Sequence, residues 1–161
     1  MPPVIRSLLA PDPRREPAPV GHLPRPPARR VAVVTCMDAR IDPLGVLGLE
    51  LGDAHVLRNA GGRVTPDVLR SLALSAHVLG VQEVGVVHHT GCGVHAEDNA
   101  SLARQTGLTG VDFLTVADIE AGLAEDVAAL TSSGFLPAET LVWGAVYDLD
   151  SGAVSVVSPP G

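Results

Sequence analysis

The chain has 161 residues, a net charge of −7 and 46% hydrophobic residues, which is enough for one domain with a buried core. It contains only two cysteines, Cys36 and Cys92, too few for a disulfide framework, so metal binding or catalysis is favoured. Because no apolar run approaches the roughly 20 residues of a membrane helix, we expect a soluble, cytoplasmic protein that does not bind membranes.

Charge is distributed unevenly along the chain. Residues 1–30 contain six of the eleven arginines and two acidic residues, whereas the remainder contains five arginines and sixteen acidic residues. A nucleic-acid surface needs a concentrated basic stripe, so the acidic remainder argues against nucleic-acid binding. Nine of the fourteen prolines also lie in the basic segment and favour extended chain. We therefore interpret residues 1–30 as a Pro/Arg-rich arm and residues 31–161 as the folded domain.

Short β-branched runs alternate with amphipathic stretches after residue 30. Strands are predicted at residues 31–36, 54–62 (running into a glycine turn), 83–89 and at both ends of 141–157, and helices at residues 65–80 and 117–134. Thr65 is the expected N-cap of the first helix, and Gly80 is expected to end it. The alternation predicts an α/β fold, a single domain with a mostly parallel central β-sheet flanked by helices.

Polar residues follow two of the predicted strands. Cys36, Asp38 and Arg40 occupy alternate positions, so an extended backbone would direct all three to one side. His89 ends the third strand, and Cys92 follows it through a glycine-containing turn. Sites in open α/β sheets form at the carboxyl ends of strands, so we expect two thiolates, an imidazole and a carboxylate in one place. Zinc is the metal that suits such a tetrahedral, borderline-soft set best.

Three segments together resemble the β-class carbonic anhydrases, namely CMDARIDPLGVLGLELGDAHVLRNAGG, HHTGCG and WGAVYDLDSG. The resemblance covers roughly residue 20 to the end and depends on the three motifs occurring together. The chain looks like a short, actinobacterial member of the family. It implies a zinc ion bound by Cys36, His89 and Cys92 in a zinc-binding α/β catalytic domain, residues 31–161. It also implies a homodimer or a dimer of dimers whose active sites lie at the subunit interface.

The activity implied by the resemblance is that of a zinc lyase, a carbonate dehydratase that converts CO2 reversibly to bicarbonate and a proton. Three protein ligands leave a fourth zinc position for the water that attacks CO2. Asp38 would orient that water, and Arg40 would hold Asp38 in place and keep it ionised. In some β-class members this aspartate becomes the fourth ligand. We therefore expect Asp38 to bind the metal in a closed form only, with activity rising as the pH is raised.

Two other functions are compatible with the same residues. A hydrolase of carbonyl sulfide or carbon disulfide would use an identical zinc site. A non-catalytic zinc-binding regulatory protein would not need Asp38 and Arg40, which argues against it. The chain has only four aromatic residues, so the substrate pocket is expected to be mainly aliphatic.

Several nearby residues have two interpretations each. Spacing to Cys92 favours His89 over His88 as the ligand, and His88 then points the other way and is interpreted as structural. Residues 58–62 (RNAGG) either line the site with backbone donors or form a tight turn. His95 and Asp98 either assist proton transfer or belong to an exposed loop. His55 and His77 are interpreted as core or surface residues.

Overall fold

The computed structural model describes residues 19–158, which form one α/β unit. Its elements are β1 (Val31–Cys36), α1 (Pro43–Leu47), β2 (Ala54–Asn59), a 3-10 turn (Ala60–Gly62), α2 (Pro66–His77), β3 (Glu83–His89), α3 (Asn99–Thr106), α4 (Ile119–Ser132), β4 (Leu141–Tyr147) and β5 (Val154–Ser158). The sheet order is β2-β1-β3-β4-β5. The first four strands are parallel, and β5 is antiparallel to β4. The predicted fold class is confirmed.

The central strands are apolar on both faces because each face of the sheet is covered. On one face, alternate residues of β1 and β3 pack against α2 and α4, in a cluster that includes Ala32, Val34, Val84, Val86, Leu72, Leu123 and Leu130. On the other face, Val31, Val33 and Val87 pack against Leu47 of α1 and the aromatic residues Trp143 and Tyr147. Full burial of one leucine side chain contributes about 1.5–3 kcal/mol, so the α2–α4 face holds the larger part of the core.

The two predicted helices begin at capping side chains. Thr65 accepts a hydrogen bond from Val68 N at 3.4 Å, and Asp118 accepts one from Ala121 N at 2.8 Å. Helix α2 ends at His77, three residues before Gly80, and α4 ends at Ser132, two residues before Gly134. Helices α1 and α3 were not predicted from the sequence. Neither contains a buried residue, so neither has the apolar stripe that would reveal it.

The described part of the arm packs on its own chain. Ala28 N and Arg29 N donate to the carbonyls of Gly52 and Asp53 at 2.9 and 3.0 Å, and Pro27 is buried. Residues 1–18 of the predicted arm lie outside the described residues. Between residues 19 and 158, no helix is both long enough and apolar enough to cross a membrane.

Candidate metal centre

The ends of two neighbouring parallel strands meet at the candidate site. Cys36 is the last residue of β1, His89 is the last residue of β3, and the turn after β3 returns Cys92 to them. All three side chains are buried, and their ligand atoms lie within 4.8 Å of one another. The structure thus brings together the three residues that the sequence indicated as ligands.

The spacing and protonation of these atoms fit a tetrahedral metal ion. The two Sγ atoms are 3.8 Å apart, and two sulfurs at zinc–sulfur distances of about 2.3 Å in a tetrahedron would be about 3.8 Å apart. His89 Nδ1 donates to Thr90 O at 2.9 Å, so its Nε2 carries the lone pair. That buried Nε2 has no hydrogen-bond partner among the described residues. Such an atom is suited to metal ligation.

The electrostatic environment keeps the candidate ligands His89 and Cys92 neutral in the absence of a metal ion. Burial lowers the pKa of His89, which keeps the imidazole neutral and able to coordinate. Burial raises the pKa of the Cys92 thiol, and the adjacent Cys36 raises it further. A bound metal ion reverses this effect, because a coordinating thiol is deprotonated outright. The Cys92 thiol is therefore neutral without a metal ion and would become a thiolate on binding one.

Asp38 and Arg40 form a bidentate pair beside the three candidate ligands. Arg40 Nε donates to Oδ1 at 2.9 Å and Nη2 donates to Oδ2 at 2.6 Å. These hydrogen bonds from Arg40 hold the pKa of Asp38 well below its usual range. Arg40 Nη2 also donates to Gly91 O at 3.0 Å, which links the pair to the turn before Cys92. Asp38 Oδ2 lies 4.0 Å from His89 Nε2; the open and closed forms of the site stay predictions.

Comparison with known proteins places this site in a family. The family model described as carbonic anhydrase matches residues 31–112. Beta-carbonic anhydrase 1 of Mycobacterium tuberculosis is 39% identical over 145 residues, which cover 86% of this chain and 88% of the relative. The chain belongs to the β-class carbonic anhydrase family. The prediction of an enzyme of this family is thereby confirmed.

Two further relatives of this β-class enzyme carry different names. The crystal structure of carbonic anhydrase from Streptococcus mutans superposes with a TM-score of 0.81 at 48% identity, covering 85% of this chain and 86% of that one. The carbon disulfide hydrolase of Acidianus sp. is 48% identical over 69 residues, 43% of this chain and 34% of that protein. The shared segment is therefore found in proteins with two different named activities.

The RNAGG segment of this β-class enzyme forms a tight turn after β2. Arg58 Nε donates to Cys36 O at 2.9 Å, and its Nη2 donates to Asp38 O at 2.7 Å. Gly62 has φ +68°, and a Cβ built there would lie 2.9 Å from Cys36 N. The segment thus supports the backbone on both sides of the candidate ligand Cys36.

The remaining histidines and Asp98 have structural contacts. His88 Nε2 lies 3.1 Å from Asp126 Oδ2, on the side of β3 opposite to His89, in agreement with the structural interpretation. Asp98 caps α3 by accepting from Ser101 N at 2.7 Å. His95 is packed against His88 with ring centroids 5.0 Å apart, and burial lowers its pKa to about 4.

Two other histidines, His55 and His77, lie away from the site. His55 Nδ1 is 2.6 Å from Ser75 Oγ on α2, and its Nε2 is 3.3 Å from Arg25 O. His77 Nε2 is 3.1 Å from Phe135 O. Both side chains therefore join surface segments to the body, as their interpretation as core or surface residues implied.

The sequence analysis did not identify two charged residues that lie near the site. Asp126 on α4 and Arg63 after the 3-10 turn are both buried, with Arg63 Nε 2.8 Å from Asp126 Oδ2. One signal was available, because Asp126 lies at helical spacing between Leu123 and Leu130 on the apolar side of α4. A carboxylate on the buried face of a helix indicates a polar partner in the core.

Proposed function

We propose that this β-class enzyme binds one zinc ion per chain through Cys36, His89 and Cys92 and hydrates CO2 reversibly to bicarbonate and a proton. The observation that carries the proposal is the 3.8 Å separation of the two sulfurs beside the unpartnered Nε2 of His89. The donor set of two thiols and one imidazole suits zinc and leaves one position of a tetrahedron open. The similarity to Beta-carbonic anhydrase 1 over 86% of the chain supports the same chemistry.

When bound, zinc supplies a water molecule with its pKa lowered toward about 7, which can attack CO2 at neutral pH. The Asp38 carboxylate, 4.0 Å from His89 Nε2, is placed to accept a hydrogen bond from that water and so to orient it. Arg40 holds both carboxylate oxygens of Asp38 and keeps it ionised. Asp38 and Arg40 are therefore the proposed catalytic pair.

The opposite side of the site is closed by apolar packing. Ile41 is buried in the same cluster as Cys36 and Cys92, against the partly buried Val94 and Leu149. These aliphatic side chains exclude bulk water from the sulfur side of the site and strengthen its electrostatic interactions. Substrate can approach from the side of Asp38 and Arg40, where the Arg40 side chain is 60% exposed. A cavity lined by His89, Cys92 and His95 also reaches the candidate ligands.

A closed form is part of the proposal. In that form Asp38 would leave Arg40 and hold the metal together with Cys36, His89 and Cys92, so that water could no longer bind there. The two forms differ in the partner of one carboxylate, so the Asp38–Arg40 hydrogen bonds bias the site toward the open form. Loss of the guanidinium would remove that bias.

We also propose that the working unit is a homodimer or a dimer of dimers in the cytoplasm, with residues 1–30 as an arm over the neighbouring subunit and residues 31–161 as the zinc-binding domain. Several large apolar side chains are exposed, among them Met37 (65%), Leu51 (66%) and Val78 (67%), and are candidates for cover by a second subunit. Two free thiols suit a reducing compartment.

A hydrolase of carbonyl sulfide or carbon disulfide is the second candidate. The 48% identity to a carbon disulfide hydrolase over 69 residues favours it specifically. A regulatory zinc protein without turnover is less well supported, because a structural zinc does not need the bidentate Asp38–Arg40 pair.

The experiment that tests the proposed function compares substrates directly. CO2 hydration is measured by stopped flow, and sulfide release from carbonyl sulfide and carbon disulfide is measured on the same zinc-loaded preparation. We expect CO2 hydration to dominate and to be lost in Asp38→Asn, with the exposed Asp42→Asn as matched control. Sulfide release without CO2 hydration would establish the second candidate, and a zinc-loaded protein inactive in all three assays would support the regulatory one.

A further inference from the structure

A buried polar cluster lies behind the candidate metal centre, and the proposed reaction does not use it. Asp126 is 3% exposed and faces the core of the sheet from α4, between Leu123 and Leu130, which are 0% and 1% exposed. Removal of a carboxylate from water is costly unless charged and hydrogen-bonding partners compensate for it. The partners of Asp126 therefore indicate why an acidic residue is present there.

One partner of Asp126 lies at the end of β3, and its other two partners follow the 3-10 turn after β2. Its Oδ2 lies 3.1 Å from Nε2 of His88, the residue before the candidate ligand His89. The same oxygen lies 2.8 Å from Nε of Arg63 in an ion pair, and Oδ1 accepts from Val64 N at 2.9 Å. One carboxylate thus connects α4 to the end of β3 and to the segment that follows the 3-10 turn.

The 3-10 turn that precedes this segment is in contact with the end of β1. Asn59 holds Arg63 by two hydrogen bonds, from Arg63 N at 2.8 Å and to Arg63 O at 2.7 Å. These hydrogen bonds close the turn. Inside it, Gly62 lies against the end of β1, where a Cβ on residue 62 would be only 2.9 Å from Cys36 N. The position of the turn therefore determines where the backbone of Cys36 lies.

We propose that Asp126 is a positioning residue for the metal centre, which holds the ends of β1 and β3 in the register that brings Cys36 and His89 together. The inference rests on one part of the proposed function, namely that zinc binds at this site. The carboxylate contacts neither ligand. It acts through His88 on one strand end and through Arg63 and Val64 on the other.

Asp126→Asn is the isosteric test, because an asparagine Oδ1 can still accept from Val64 N while the negative charge toward Arg63 and His88 is lost. Glu125→Gln is the matched control. Glu125 is the neighbouring residue, 71% exposed, and contacts the same Arg63 through Nη2 at 3.3 Å. The readouts are the zinc dissociation constant by chelator competition and the thiolate absorption of the cobalt(II)-substituted protein, neither of which requires activity.

We expect Asp126→Asn to weaken zinc binding about tenfold, the lower end of the range measured when direct hydrogen-bond partners of metal ligands are removed, because Asp126 acts through neighbours of the ligands. The cobalt(II) spectrum of Asp126→Asn should also differ from that of wild type. The zinc dissociation constant of Glu125→Gln should remain within about twofold of the wild-type value. Wild-type zinc affinity and spectrum in Asp126→Asn, whatever its melting temperature, would overturn the positioning role.

A second variant separates positioning from stability. The double variant Arg63→Met with Asp126→Leu replaces the buried ion pair by apolar side chains, a change that is often neutral or stabilising. We expect it to fold while its zinc affinity stays at least about tenfold below wild type. Wild-type affinity in the double variant, or failure of both variants to fold where Glu125→Gln folds, would assign Asp126 to stability alone. A wild-type protein that binds no zinc would instead refute the proposed function and this inference together.

Discussion

Gly62 lies closer to the end of β1 than a side chain would allow. Its φ is +68°, and a Cβ would lie 2.9 Å from both Cys36 N and the carbonyl carbon of Thr35. Ordinary van der Waals contacts begin at 3.4 Å, so Gly62→Ala requires a backbone displacement of about 0.5 Å. Because the displaced atoms belong to the peptide bond between Thr35 and Cys36, the substitution should affect both stability and metal binding.

The magnitude follows from two separate costs. A left-handed backbone costs a residue other than glycine about 1–2 kcal/mol, and overpacking at a rigid site costs about 1–3 kcal/mol. We therefore expect Gly62→Ala to lower the free energy of unfolding by about 2–5 kcal/mol. Gly80→Ala is the matched control, because Gly80 has φ +74° but no described atom lies within 4 Å of its built Cβ. It should lose only about 1–2 kcal/mol.

The assay is urea denaturation of the zinc-free proteins, followed by chelator competition for zinc. Zinc affinity should fall in Gly62→Ala and remain unchanged in Gly80→Ala, because only the first substitution moves Cys36. Equal unfolding free energies for the two variants, together with wild-type zinc affinity in Gly62→Ala, would refute the assignment of the turn as a support for this ligand.

Four further predictions concern gating, pH, capping and assembly. Arg40→Ala should keep its zinc, but its stopped-flow kcat/KM should rise only at more alkaline pH than in wild type; normal activity at neutral pH would contradict the gate. Burial lowers the pKa of His95 from 6.5 to about 4, so the unfolded chain binds more protons within that interval and stability should rise with pH there; His95→Gln should show a shallower rise in denaturation series. Asp118→Ala should lose about 1 kcal/mol by removal of a helix cap, and an unchanged melting curve would count against the cap. Light scattering should show a dimer or larger, and an active monomer would contradict the proposed assembly.

Strands β1 and β3 could be predicted with their observed ends because their burial leaves a direct pattern. Val31–Cys36 and Glu83–His89 are apolar on both faces and end at polar residues, so continuous β-branched runs indicate them. The candidate ligands were predicted for the same reason, since parallel strands place their carboxyl ends at one edge. Helices α1 and α3 bury no residue in the described structure, and therefore lack the apolar periodicity on which such predictions depend.

The support of the site could not be predicted because it is made by contacts between distant segments. Asp126 is 38 positions from His88 and 62 from Val64, and no local pattern specifies such partners. The RNAGG segment had two interpretations, and the structure shows the tight turn, with Arg58 in addition binding the carbonyls of Cys36 and Asp38. Asp126 reaches His88 and Val64 because α4 packs on the sheet behind the candidate ligands.

The measurement that most directly tests the central claim is the zinc content per chain of wild type, Cys36→Ala and Cys92→Ala, determined by mass spectrometry after dialysis against a chelator. The account predicts one zinc per wild-type chain, and loss of zinc with reduced stability in each variant, because a missing ligand leaves the other thiol without its cation. Tyr147→Phe, next to the apolar cluster but not among the ligands, is the control and should retain zinc. Full zinc retention in both cysteine variants would contradict the proposed metal centre.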